Sequence, residues 1–80
     1  MFSIYVLKSL RNNKRYIGYT SKSVDVRLRE HNTGSNKFTS INRPFVIFYS
    51  ETLPDKLSAI KREKFLKSGQ GRKFLDNLGG

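Results

Sequence analysis

YIGYTSKSVDVRLREHNTG, residues 16–34, is the stretch whose reading decides the fold. It joins an aromatic strand end, a capped helix and a polar loop with nothing between them, which brings Tyr16, Arg27 and His31 close enough to converge. Ser21 or Ser23 can cap the helix, and Asp25 in its first turn suits the helix dipole. A helix is therefore expected from there to about Asn32. Val24, Leu28 and His31 fall at i, i+4 and i+7, the stripe that packs on a sheet, and Arg27 lies three residues from Val24 and four from His31. Arg27 and His31 share the edge of that stripe. A phenol, a guanidinium and an imidazole gathered in this way can bind phosphate. The same residues also suit a plainer role, a histidine satisfied by packing and an arginine laying its stem over the core.

Upstream, Phe2 to Leu7 (FSIYVL) is β-prone, and the next such run is Arg15 to Thr20. Asn12-Asn13 between them can supply the positive φ angles of a tight hairpin turn. With those two residues at the tip, Leu7 faces Gly18 and Tyr5 faces Thr20. Tyr5, Leu7, Tyr16, Gly18 and Thr20 then lie on one face of the hairpin. Phe2, Ile4, Val6, Ile17 and Tyr19 lie on the other and make the better core. The first face sets two phenols beside a glycine, which leaves room for a ligand to approach the backbone. Two tyrosines packed under a helix would look the same.

Downstream, Asn32 to Pro44 (NTGSNKFTSINRP) reads as a surface loop, with Gly34 ending the helix and Pro44 preventing its resumption. Its Lys37, Thr39, Asn42 and Arg43 are suited to touching a phosphate backbone, although a mobile connection would have the same composition. Phe45 to Glu51 (FVIFYSE) is apolar on both faces, as expected of a third strand that is central or well covered. Asp55 can cap a helix through Ser68, with Gly69 as the stop and Leu57, Ile60 and Leu66 on its inner side. Glu63 is the anomaly, because Ala59, Ile60 and Leu66 are its helical neighbours and its carboxylate leaves from an apolar face. An unpaired buried carboxylate is costly, so Glu63 needs an arginine, a lysine or a metal ion. Arg72 to Leu78 (RKFLDNL) can close the core through Phe74, Leu75 and Leu78. No internal repeat is visible.

Eighty residues make one small domain, which buries only about 60% of its unfolded surface, so every apolar face is needed. The absence of cysteine excludes a disulfide framework and a thiolate zinc site, and suits a cytoplasmic location. The longest apolar runs fall far below the ~20 residues of a membrane span, and the N-terminus lacks the pattern of a signal peptide. The chain reads as soluble, with no membrane partner. Sixteen Lys and Arg against six Asp and Glu give a formal charge of +10, spread over the folded surface. Such a charge speeds encounter with polyanions and makes binding salt-dependent, so nucleic acid is the leading partner. A basic surface kept only for solubility is the simpler alternative.

Together these residues supply two phenols, an arginine, an imidazole and one carboxylate, an inventory suited to a phosphodiesterase. In that combination the chain resembles the GIY-YIG nuclease family. The first motif stands as Ser3-Ile4-Tyr5 and the second as Tyr16-Ile17-Gly18, with a short hairpin between; RLREHN carries Arg27 and His31, and KREKFLKSG carries Glu63. RLREHNTG and KREKFLKSGQGR look most like the small stand-alone bacterial members, relatives of the N-terminal nuclease domain of the excision-repair incision subunit. The resemblance runs through nearly the whole chain. It implies an α/β (α+β) fold over residues 1–80, a three-stranded antiparallel sheet flanked by helices.

The resemblance also implies hydrolysis of a DNA phosphodiester with one divalent metal ion, Mg²⁺ or Mn²⁺. Glu63 would be the metal ligand, which accounts for its placement better than a salt bridge does. Tyr5 would act as, or orient, the general base for the attacking water. A phenol with its ordinary pKa near 10 is poorly suited to that task alone, which leaves a share of it open to His31. Tyr16 would hold the scissile phosphate or the nucleophile, Arg27 would neutralise charge on the transferring phosphate, and Gly18 would leave them room. The chain departs from the family pattern at Ser3, where the first motif has glycine. The asparagine that follows the glutamate helix in many members has Asn77 as its nearest counterpart, a residue that can equally cap the last helix.

DNA is the expected partner and RNA is not excluded. Target choice would come from the 32–44 loop, from DNA shape or from a protein partner, and repair or recombination is an analogy from the family. A nucleic-acid-binding module that kept the fold without cleavage is the main alternative, and an assembly partner with incidental charge a more distant one. Plain backbone binding needs neither paired phenols nor a carboxylate on an apolar face.

Overall fold

The computed structural model describes residues 1–33 and 41–78, so Gly34 as a helix stop and Lys37 and Thr39 as phosphate contacts lie outside the described residues. Strands β1 (Phe2–Ser9), β2 (Arg15–Thr20) and β3 (Phe45–Leu53) form an antiparallel sheet in the order β2-β1-β3. Helices α1 (Val24–Asn32), α2 (Lys56–Lys67) and α3 (Gly69–Asp76) complete an α+β fold, as expected. None of these helices is long and apolar enough to cross a membrane.

β2 has its expected bounds, but its register against β1 differs from expectation by two residues. Leu7 faces Tyr16 and Tyr5 faces Gly18. The cause is a wider turn, closed by the Ser9 N–H donating to the Lys14 carbonyl at 2.8 Å. Ser9 Oγ accepts the amides of Arg11 and Asn12, and Asn13 takes the positive φ of 62°, a conformation asparagine tolerates. Because side chains alternate with a period of two, a two-residue slip leaves each on its expected face.

The core therefore divides as the alternation requires, and both faces are buried. Ile4 and Val6 pack with Leu66 and Leu75 on one side. Tyr5 and Leu7 pack with Phe45 on the other, flanked by Tyr16, Val24 and Leu28. α2 and α3 thus cover one face and α1 the opposite one. Of the two alternatives expected for β3, central or well covered, the second holds: β3 is an edge strand covered on both faces, with Val46 exposed. A bulge opposite Val6 and Leu7 turns both Phe48 and Tyr49 toward the α2–α3 side.

Ser23 caps α1 by accepting the Val26 amide, and Asp55 caps α2 by accepting that of Ser58. Leu66 is buried on the inner side of α2 as expected, together with Ala59, whereas Leu57, expected beside it, is exposed. Gly69 does more than stop α2, since Ser68 is both the last cap of α2 and the first cap of α3. The two helices meet at Gly71, where a Cβ would overlap the Phe65 carbonyl oxygen and the Leu66 Cα.

Candidate active site

Tyr5 is the buried centre of the site, 1% exposed on the middle strand, and α1 brings two partners over it. Arg27 Nε donates to the Tyr5 hydroxyl at 3.3 Å, and the hydroxyl lies 3.1 Å from His31 Nε2. A second guanidinium nitrogen lies 3.2 Å from the same Nε2. A guanidinium can only donate, so His31 Nε2 is the acceptor and the imidazole is neutral, with its proton on Nδ1. Tyr5 then donates its O–H to His31 while its oxygen accepts from Arg27. The Tyr16 ring lies 4.7 Å from the His31 ring and 6.3 Å from that of Tyr5, both centroid to centroid.

The electrostatics follow from burial and one cation. Burial raises the Tyr5 pKa; the hydrogen bond and charge of Arg27 oppose the rise, and Tyr16 and Glu63 add to it. Burial and then the Arg27 charge lower the pKa of His31. A neutral phenol therefore sits hydrogen-bonded to a neutral imidazole. Arg27 is held from its far side by Glu30, whose Oε1 accepts from it at 2.5 Å, and Glu30 also meets Lys22 at 3.2 Å. Arg27 first, then Lys22, draw the Glu30 pKa down. Glu30 escaped the sequence reading, although its i+3 spacing from Arg27 is the signal that could have found it.

Glu63 approaches from α2 on the other side of the sheet. Its carboxylate is near enough to Tyr5 to act on the phenol's pKa, and its side chain is 20% exposed. The lysine that the sequence allowed as a partner is present, since Lys67 Nζ lies 3.6 Å away from a 56% exposed side chain. This is a loose surface pair. Among the described residues no three His, Cys, Asp or Glu side chains converge, so a cation held by Glu63 would have fewer than three such protein ligands. A hard divalent ion that completes its shell with water and phosphate oxygens suits that donor set.

The remaining expected residues divide. The space over Gly18 is not open to a ligand, because Tyr5 fills it: a Cβ on Gly18 would lie 2.7 Å from the Tyr5 hydroxyl oxygen. Gly18 thus acts by admitting the Tyr5 ring. Asn42 also corrects its expected phosphate role. It is buried, its carbonyl accepts from Ser9 Oγ at 2.6 Å, and its side-chain oxygen accepts from Asn12 at 2.6 Å. Asn42 pins the β1–β2 turn. Arg43 is exposed, with one guanidinium nitrogen 3.5 Å from the Asn32 carbonyl. Asn77 is the C-cap residue of α3. No local pattern points to Asn32, whose side chain accepts the Phe45 amide at 2.7 Å and donates to the Phe45 carbonyl at 3.2 Å. That clasp ties the end of α1, and with it His31, to the start of β3.

The chain is similar to several known proteins. The chain is 38% identical over 66 residues to a UPF0213 protein of Staphylococcus epidermidis, covering 81% of this chain and 78% of that one. It is 34% identical over 73 residues to a UPF0213 protein of Staphylococcus aureus, covering 90% and 87%. The solution NMR structure of the UPF0213 protein BH0048 from Bacillus halodurans matches all of this chain and 87% of its own, with a TM-score of 0.57 and 30% identity. Residues 1–75 match the model of the GIY-YIG catalytic domain, a nuclease-type domain whose enzymes generally depend on a divalent metal. With the motif residues of the hairpin, α1 and α2 in place, the chain belongs to the GIY-YIG family.

Proposed function

We propose that this protein is a metal-dependent endonuclease that hydrolyses DNA phosphodiester bonds, with structure-dependent or weak sequence preference, acting on cytoplasmic DNA in repair or recombination. The observation that carries the reading is the Tyr5–Arg27–His31 network. A water attacking phosphorus must lose a proton, and the Tyr5 oxygen takes it as Tyr5 passes its own proton to His31 Nε2. This relay answers the objection that a phenol with a raised pKa is a poor base, because no free phenolate has to accumulate. Arg27 favours negative charge on the Tyr5 oxygen and on the phosphate oxygens as bonds to phosphorus change. Tyr16, whose ring lies tilted against that of His31, would steady the phosphate or the water. A divalent cation held by Glu63 would polarise the phosphate and stabilise the departing sugar oxygen.

The test is cleavage of labelled duplex, flap, branched and single-stranded DNA with Mg²⁺ or Mn²⁺. Tyr5→Phe removes the relay oxygen while keeping the ring that fills the space over Gly18. It is expected to bind DNA normally and to cut about 10²–10⁴ times more slowly, the usual contribution of a positioned acid–base group. Unchanged cleavage by Tyr5→Phe would sink the proposed relay. Salt-dependent binding by a parent protein that never cuts would favour the binding-module reading, which the charge of +10 supports by itself.

His31 also makes stability depend on pH. Its pKa is lower in the folded chain than the ordinary value of 6.5, so the unfolded chain takes the proton first as pH falls. Its contribution is complete above 6.5 and is lost progressively as pH drops from there toward the folded value. Urea midpoints measured at about pH 7.5 and about pH 5 are expected to fall further in the parent than in His31→Gln. Equal falls would mean that His31 does not titrate with folding.

A further inference from the structure

On the face of the sheet opposite Tyr5 lies a cavity of about 810 Å³ with a basic rim. Lys8, Lys14, Arg15, Lys67 and Arg72 reach it from β1, the hairpin turn, β2, α2 and α3. Ile17, Leu66 and Leu75 supply apolar lining, and no carboxylate lines it. Arg15 pairs with Asp76 at 2.7 Å and Lys67 with Glu63, while Lys8, Lys14 and Arg72 have no carboxylate partner among the described residues. Cations gathered over an apolar surface concentrate positive potential, and an anion relieves their mutual repulsion.

Lys67 joins this groove to the candidate active site, since it lines the cavity and lies 3.6 Å from the Glu63 carboxylate. Arg15 and Ile17 face the groove, whereas Tyr16 and Gly18 between and beside them face the phenol side. A backbone that passes from one to the other must turn around the outer edge of β2. The protein measures only 29 × 26 × 18 Å, far less than the ~500 Å over which duplex DNA stays straight. Bending a duplex through that turn is costly, whereas a single strand turns freely. Resting on the nuclease reading above, we infer that this groove holds a single-stranded arm of the substrate, continuous with the strand at the Tyr5 site. The chemistry is a row of phosphodiesters on cations, with sugars and bases against the apolar surface.

The experiment compares a blunt duplex with the same duplex carrying a single-stranded tail, read by fluorescence anisotropy across a salt series without divalent metal. Lys14→Ala/Arg72→Ala removes two exposed cations of the groove, and Lys56→Ala/Lys61→Ala removes two exposed cations outside it. The parent is expected to favour the tailed duplex. The groove variant is expected to lose that preference, with a salt slope on tailed DNA lower by about 1.4, about 0.7 per single-strand phosphate contact. It keeps the parent's affinity for blunt duplex, and the outside variant keeps the preference. Absence of a tail preference in the parent overturns the inference, as does equal loss in both variants. Saturation of the groove by pyrophosphate without any tail preference also overturns it, assigning the cavity to a small phosphate ligand. Binding is read apart from cutting, so a parent that prefers tailed DNA yet never cuts it supports the groove and overturns the nuclease reading alone.

Discussion

Glu63→Gln is expected to lower divalent-metal-dependent cleavage about 10³-fold, the upper end of what loss of a single electrostatic stabiliser costs. The substitution keeps size and shape and removes only the charge. The fold has little to lose, because the Lys67 pair joins side chains 56% and 20% exposed, and a screened pair of that kind is worth ~0–1 kcal/mol. The unfolding free energy from urea denaturation is therefore expected to stay within about 0.5 kcal/mol of the parent while cleavage collapses. Cleavage in Mg²⁺ and Mn²⁺ beside a denaturation curve checks both halves. If the variant cuts at the parent's rate, Glu63 is an ion-pair residue and the metal role falls. If it unfolds, the carboxylate is a structural element of α2.

The largest expected effect on stability belongs to Gly71→Ala. The atoms that a Cβ would meet are the Phe65 carbonyl oxygen and the Leu66 Cα, parts of the α2 backbone that cannot swing aside as a side-chain tip can. Moving them separates α3 from α2 and pulls Leu75 away from Leu66, Ile4 and Val6. The cost is about 3 kcal/mol, the top of the ordinary range for overpacking. Gly69→Ala is the control. Nothing lies within 4 Å of the added carbon there, and alanine in the first turn of α3 is expected to be neutral or to stabilise by up to about 1 kcal/mol. Urea denaturation of the two variants gives the contrast directly. Equal midpoints would show that the helix junction relaxes freely.

Much of this architecture can be read from the residues, and the exceptions have physical causes. β2, the Ser23 and Asp55 caps and the division of the hairpin into two faces follow from patterns that act locally, within a turn or along a strand. The hairpin register departs from the Asn-Asn tip because Ser9, at the end of β1, gathers two backbone amides on its hydroxyl and widens the loop. The pattern of β3 leaves central and well covered as alternatives because apolar residues on both faces report cover above and below, and say nothing about neighbours in the plane of the sheet. Leu57 has the right helical spacing for burial, but spacing does not show where the surface opposite a helix ends.

The candidate site divides in the same way. Arg27 and His31 share a helix, so their meeting can be read from their spacing. Their joint contact with Tyr5 spans more than twenty residues and needed the sheet. The misreading of Gly18 has the most specific cause. A missing side chain looks like vacant space in a sequence, and here the vacancy belongs to the cross-strand partner directly opposite, Tyr5.

The place of Tyr5 on β1 has a further consequence. β1 is the strand that both apolar clusters share, with Ile4 and Val6 facing one pair of helices and Tyr5 and Leu7 facing the other. Fraying at a sheet edge or at a chain end leaves such a strand paired on both sides, so its amides open only when the whole molecule opens. The Tyr5 end of the proposed relay is thus tied to the most cooperative part of the molecule. Arg27 and His31 ride instead on α1, which the Asn32–Phe45 clasp holds to β3, so local opening of that helix would part them from Tyr5 while the sheet still stands.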